Sequence, residues 1–453
     1  MRKLATSLSI CLFMGATPAL ADDPLVIRNV NLLPMDQEQV LEDRRVLIED
    51  GRISEISGEG RYRVPRDAEV IDGQGRYLMP GMVEMHAHIP PEDPGEQALD
   101  DLLFLFLANG VTHTRGMLGA EWHLELRQEL ASGDRLGPGL TTSGPSLNGD
   151  SVEDPEHGAE MVREQAKAGY DFLKIHPGLT REEFDAIAEA ADEAGIEFAG
   201  HVPTDVGLNR ALEAGYASID HLDAYPPAMA DPDKVDEYGG GFFDYRLGPY
   251  IEADRIEAIA EQTAEAGVWN VPTETLMHNV LLADPDTARE DRPELQYMPE
   301  DTVSQWLDRV DSMQSEDDYD REAAEAYVQA RKDLLAALHE ADAGLLFGSD
   351  APQILNVPGL SIHHEMAIME EAGLSPYEIL VSATRAAAEF FGEADQWGSI
   401  AEDRRADLVL LEGNPLEDLD HLRDPAGVIR DGRWLDHESL IEGLEEIRKR
   451  AED

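Results

Sequence analysis

Cysteine is almost absent: the 453-residue chain has one, Cys11. It falls in the N-terminal segment and lacks the small residue before it that a lipoprotein site would want. Beyond it the chain has no disulfide and no thiolate metal ligand to offer. Lysine is nearly as scarce, at positions 3, 167, 174, 234, 332 and 449 alone. Against 36 Lys and Arg stand 94 Asp and Glu, for a net charge of −58. A surface of that sign repels phosphate, which argues against nucleic acid and anionic membranes as partners. Long apolar runs are missing as well: after the N-terminal segment none is long enough to span a membrane. What is present, 42% hydrophobic residues over 453 positions, is enough for a sizeable core in one large domain or two. Acidic side chains on nearly every expected helix suit a salty habitat, where screening relieves self-repulsion.

The N-terminal segment differs. Arg2 and Lys3 precede an apolar run over residues 4–14, and Pro18-Ala19-Leu20-Ala21 follows. Positive charge, a short apolar run and a small-residue cleavage site, in that order, read as a secretory signal peptide over residues 1–21. The mature chain is then expected in the periplasm or outside the cell.

Two short β-rich pieces flank a long α/β alternation. Residues 45–49 and 52–56 surround Asp50-Gly51, and residues 428–435 are broken by Asp431-Gly432; both are hairpin signals. Residues 406–411 form a further apolar strand. Neither end can fold alone, so one small β-sandwich domain built from both, residues 22–79 and 398–436, is expected, with a C-terminal helix over 437–453. Between them, strand candidates at 81–88, 110–115, 139–143, 171–176, 197–201, 217–221, 268–272 and 344–350 alternate with helices. One helix is well marked by the capping box of Thr180 and Glu183. Eight such units over residues 80–397 predict an α/β fold of the (β/α)8 TIM-barrel type, with a doubly wound open sheet as the rival. Acidic stretches at 231–245 and 284–320 read as insertions.

The ends of these strands carry the chemistry, because TIM-barrel sites lie at the C-terminal strand ends. His86 and His88 stand at i and i+2 of one strand and so point to one face. Imidazole ligates divalent metals such as zinc, and two on one face supply half a tetrahedral shell. Alone, such a pair is as compatible with chance as with a ligand pair. His201 and His221, each closing another strand, make four strand-end histidines, which chance does not easily supply. Asp350 directly follows an apolar strand, a costly place for a carboxylate without a cation. Lys174 lies within its strand, and as a protonated amine it offers only donors. On physics alone it is a lysine paired with a carboxylate or reaching out to water.

The segment 80–88, with an acidic residue (Glu84) two before the first histidine, resembles the first-strand signature of the metal-dependent amidohydrolase superfamily. Residues 195–202, 217–221 and Gly348-Ser349-Asp350 resemble its fifth-, sixth- and eighth-strand motifs, and Gly398-Ser399-Ile400 with Ala406-Asp407-Leu408-Val409 its closing segment. Glu84 stands where Asp is commoner. The nearest branch is the prolidase-like and imidazolonepropionase-related one. Lys174 falls where binuclear members carry a lysine carboxylated by carbon dioxide, and this reverses the plainer reading of it.

The resemblance implies a hydrolase with two divalent metal ions, zinc by default. His86, His88 and Asp350 would hold one, His201 and His221 the other, and the Lys174 carbamate would bridge them. The ions would activate water against an amide carbon, with Asp350 as general base and then acid. Xaa-Pro dipeptides or N-acyl amino acids are the expected small-molecule substrates. For substrate contacts the candidates are His176, on the same face as Lys174; Tyr225, near a developing oxyanion; Arg115, toward a carboxylate; and His364. Each has a structural alternative, and His113 and His278 read as structural. A mononuclear enzyme of cyclic amides or amidines, a lactonase, and a non-catalytic periplasmic binding protein remain as other readings. A homo-oligomer is compatible with all of them.

Overall fold

The structure is a computed structural model that describes residues 23–58, 60 and 64–452. The expected signal peptide lies outside the described residues. Four strands come first: β1 (Leu25–Leu32), β2 (Leu41–Glu49), β3 (Arg52–Gly58) and β4 (Glu69–Pro80). Seven short ones follow, separated by helices: β5 (Met82–Ala87), β6 (Val111–Gly116), β7 (Gly139–Thr142), β8 (Phe172–Ile175), β9 (Glu197–Gly200), β10 (Ser218–Asp220) and β11 (Trp269–Val271). Three more, β12 (Leu408–Leu411), β13 (Gly427–Arg430) and β14 (Arg433–Asp436), precede a helix over His437–Ala451.

Both chain ends enter one seven-stranded sheet of order β14-β13-β12-β4-β1-β2-β3. The twelve-residue β4 stitches them together, pairing in parallel with β1 and antiparallel with β12. Among the described residues, hydrogen bonding places all seven strands in a single sheet. Its apolar face buries Ile27, Val46, Ile53, Leu78, Leu408 and Ile429 as a core of its own. The hairpin turns stand where Asp-Gly pairs demand them. Asp50 and Gly51 have φ of 50° and 71°, Asp431 and Gly432 of 52° and 79°, the backbone that asparagine, aspartate and glycine tolerate best.

The middle of the chain is TIM-barrel-like: parallel strands alternating with helices that cover them. Its strands form two parallel sheets, β5-β6-β7 and β11-β10-β9-β8. Ser143 bridges Phe172 between them. The segment 344–350, expected as an eighth strand, is not one. It bridges Asn270 in parallel at Leu345 and accepts from Met85 N–H at Phe347 O on the other side, and just past its end Ala351 bridges Ala87. The helices follow their sequence signals. Arg181–Ala194 begins with the full Thr180–Glu183 capping box and stops at Gly195, whose φ of 67° ends the helix. No helix among the described residues is long and apolar enough to cross a membrane.

Candidate metal centre

β5 is buried along its whole length, so His86 near its end enters the interior, while His88 lies just beyond. His221 follows β10, and Asp350 follows the extended segment beside β5. Both have left-handed backbones, φ 62° in each case, as does Thr273 after β11 at 51°. Left-handed non-glycine residues cost energy and gather where the surroundings over-determine them, often at functional sites. Gly200 closes β9 with φ 122°, and a Cβ there would meet the Cδ of Lys174 at 2.8 Å. A glycine is what lets the Lys174 stem lie across this strand end.

The structure brings the strand-end residues together. His86, His221 and Asp350 are buried, with donor atoms all within 4.8 Å of one another. His88 Nε2 lies 2.6 Å from Asp350 Oδ1. The His201 ring sits 4.6 Å from that of His221, and its Nδ1 is 3.0 Å from Asp223 Oδ2. Lys174 is fully buried, with Nζ 3.7 Å from Asp220 Oδ2. The tight cluster thus joins residues that the sequence reading divided between two ions.

Three buried polar atoms here lack hydrogen-bond partners: His86 Nδ1, Lys174 Nζ and Asp220 Oδ2. His86 Nδ1 and Asp220 Oδ2 are 3.0 Å apart, but not in hydrogen-bond geometry. Burial holds the His86 and His221 imidazoles well below their usual pKa, and therefore in the neutral, ligating form. Burial also lowers Lys174, against the pull of Asp220 and Asp350. For Asp350 burial acts upward, but the His86 and His88 rings outweigh it and hold the carboxyl below the usual range. Neutral imidazoles, an ionised carboxylate and orphaned polar atoms in one buried cluster suit a divalent cation. The residues present fit such an ion.

His86, His88, His201, His221 and Asp350 line a cavity of about 590 Å³ with His176 and with Phe242 and Phe243 from the expected insertion. The Phe243 ring lies 5.4 Å from that of His221. Of the four candidate substrate contacts only His176 reaches the cavity, with Nδ1 on Ser146 Oγ. Arg115 is buried beneath it, donating to Met85 O, Ser218 Oγ and Asp220 Oδ1, because a desolvated guanidinium needs acceptors on every side. The Tyr225 hydroxyl lies away from it, paired with Thr263 and Asn270. His364 Nε2 is held by Glu294 at 2.6 Å. None of the three lines this cavity.

Sequence reasoning missed the groups that hold the site. Asp220 sits among Arg115, His86 and Lys174. Arg331, buried, donates to His221 O and Pro272 O and pairs with Glu274 at 2.7 Å. Glu365 accepts from the backbone N–H groups of Glu274 and Thr275. The one signal was that Asp220 and Asp223 flank His221 at a strand end, and 94 acidic residues drown it.

Residues 77–435 match the family model described as the amidohydrolase family. An adenine deaminase of Ruegeria sp. (strain TM1040) is 27% identical over 229 residues, which are 46% of this chain and 36% of that protein. The chain thus spans about a third to a half of the length of the curated adenine deaminases it matches. Among solved structures, a bottromycin amidohydrolase superposes with a TM-score of 0.74 at 25% identity, covering 94% of this chain and 90% of its own. A Xaa-Pro dipeptidase with bound methionine in its active site gives 0.65 at 20% identity, covering 91% and 100%, a likeness of fold. With the family match running from the end of β4 to β14, the chain belongs to the amidohydrolase family.

Proposed function

We propose that the protein is an exported, metal-dependent hydrolase of C–N bonds, with two divalent ions, zinc by default, held by His86, His88, His201, His221, Asp350 and a carboxylated Lys174. The observation that carries this reading is the buried donor cluster with its orphaned atoms: a lysine with no hydrogen-bond partner beside histidines and carboxylates. A carbamate would turn Lys174 from a donor into an acceptor and relieve it. Bound ions would supply a water of lowered pKa and polarise the scissile carbonyl. Asp350, at the cavity wall, would accept the water's proton and return it to the leaving amine. Phe242 and Phe243 add apolar surface to the cavity wall. The dipeptide and N-acyl amino acid substrates draw on the fold shared with a Xaa-Pro dipeptidase.

A second reading, one ion and an unmodified Lys174 acting on a cyclic amidine, is favoured by the single tight cluster of His86, His221 and Asp350 and by the adenine deaminase relatives. Metal analysis and 13C-labelled bicarbonate NMR separate the two: two ions per chain with a carbamate signal, against one ion and none. A hydrolysis screen of dipeptides, N-acyl amino acids, lactones and cyclic amides then fixes the reaction. Asp350→Asn is expected to lose at least about 100-fold in kcat. Turnover that survives this substitution would remove Asp350 from the chemistry.

A further inference from the structure

A second cavity, of about 720 Å³, adjoins the metal-centre cavity and holds none of its histidines. It lies between the helices Glu96–Ala108, Glu300–Gln314 and His437–Ala451. Pro90 and Pro352 line both cavities, so the two share one wall. Pro90 is two residues past His88 and Pro352 two past Asp350. Two residues of chain span at most about 7 Å, so this wall stands within one substrate fragment of the donor cluster.

The lining chemistry of the second cavity is consistent in kind. Leu102, Leu105, Tyr297, Met298, Trp306 and Ile447 supply apolar surface. Its three charged lining residues are already paired: Glu96 with Arg135 at 2.5 Å, and Asp101 with Arg450 at 2.7 Å. No charged lining residue is without an ion-pair partner.

We propose that the second cavity is a substrate subsite that takes an uncharged, apolar extension, such as an acyl chain or a bulky apolar group, of a substrate whose reacting bond lies at the metal centre. The proposal rests on the hydrolase reading for the reacting end alone. A substrate with a free carboxylate on that extension would bury a charge among apolar side chains where the one lining cation, Arg450, is already paired with Asp101. Each methylene buried in the subsite should tighten binding by about fourfold at best.

The test uses the full chain loaded with zinc and three hydroxamates that share one metal-binding head: acetohydroxamate, octanohydroxamate, and the eight-carbon monohydroxamate ending in a carboxylate. Calorimetry reads affinity, not turnover. Octanohydroxamate should bind at least about tenfold tighter than acetohydroxamate, and the carboxylate-ended probe should lose that gain. Thr302→Arg, on the cavity wall one helical turn before Trp306, should reduce the ratio of the two affinities below about threefold. Equal affinities, or a ratio untouched by Thr302→Arg, would overturn the subsite. If acetohydroxamate itself fails to bind, the metal centre is at fault, and 1-octanol titrated into metal-free chain decides the subsite instead. Trp306 fluorescence should then saturate in the natural chain and stay flat in Thr302→Arg; a flat response in both sinks the proposal.

Discussion

His113 shows how a single buried group ties stability to pH. Its ring stacks on Trp397 with centroids 5.6 Å apart, and Nε2 meets Thr141 Oγ1 at 2.9 Å. Burial pushes its pKa down to about 3, with Arg405 and Arg430 acting the same way and Asp407 opposing them. The unfolded chain takes up this proton near pH 6.5, so between 6.5 and 3 it binds more protons than the folded chain. The stability tied to His113 is therefore complete above pH 6.5 and lost as pH falls toward 3. By pH 5 the loss amounts to about 2 kcal/mol. His113→Gln cannot titrate, so urea unfolding should show a smaller loss for it than for the natural chain between pH 7 and 5. Equal losses would mean the imidazole is not neutral when folded. At this scale the sequence was legible for residue type at strand ends but not for partnership. His86, His88, His201, His221 and Asp350 stand out by position, whereas Asp220 looks like any of 94 acidic residues until Arg115, His86 and Lys174 are seen around it. The direction of Tyr225 and Arg115 was illegible for the same reason: a polar group near a strand end can face the cavity or the layer beneath it, and spacing alone does not say which.

At the scale of elements, turns and caps were the most legible, because their chemistry is local. The Asp-Gly hairpins and the Thr180 capping box depend on residues a few positions apart. Less legible was whatever depends on pairing between distant segments. Residues 344–350 have the apolar run of a buried strand, yet they reach their neighbours through an isolated bridge and separate backbone hydrogen bonds. The site leans on a long-range tie of this kind. Arg331, in the helix Arg321–Glu340, binds the carbonyls of His221 and Pro272 and the Glu274 carboxylate, so one side chain clamps the ends of β10 and β11. Arg331→Met leaves Glu274 buried without its cation and should cost about 3–5 kcal/mol. The double variant with Glu274→Gln should recover part of that, because no unpaired charge then remains. Urea unfolding of single and double variants distinguishes the outcomes. Equal costs would assign the whole effect to the two carbonyl bonds and none to the buried charge.

For the whole molecule, the charge balance was plain in the sequence while the joining of both ends into one sheet was only half so, because β4 pairs with strands from either end of the chain. The charge excess sets two opposing effects of salt. Surface ion pairs weaken as salt rises, but each is worth only about 0–1 kcal/mol. Several cations here are shared, as Arg135 is among Glu96, Asp100 and Glu129. Repulsion works the other way and involves every pair of the 58 uncompensated negative charges, so it grows roughly as the square of the excess. Screening shortens its reach from about 10 Å at 0.1 M salt to about 3 Å at 1 M. Repulsion should win this balance, and Tm should rise by at least about 5 °C between 0.1 and 2 M NaCl. Most of the gain should come below 1 M, where the screening length is still falling through the spacing of neighbouring carboxylates. Sucrose at matched osmolality separates screening from general exclusion of solute, since it carries no charge and should give a smaller rise with no early plateau. A Tm that stays flat or falls in NaCl would show that the lost ion pairs outweigh the repulsion, and that the acidic surface serves something other than life in salt.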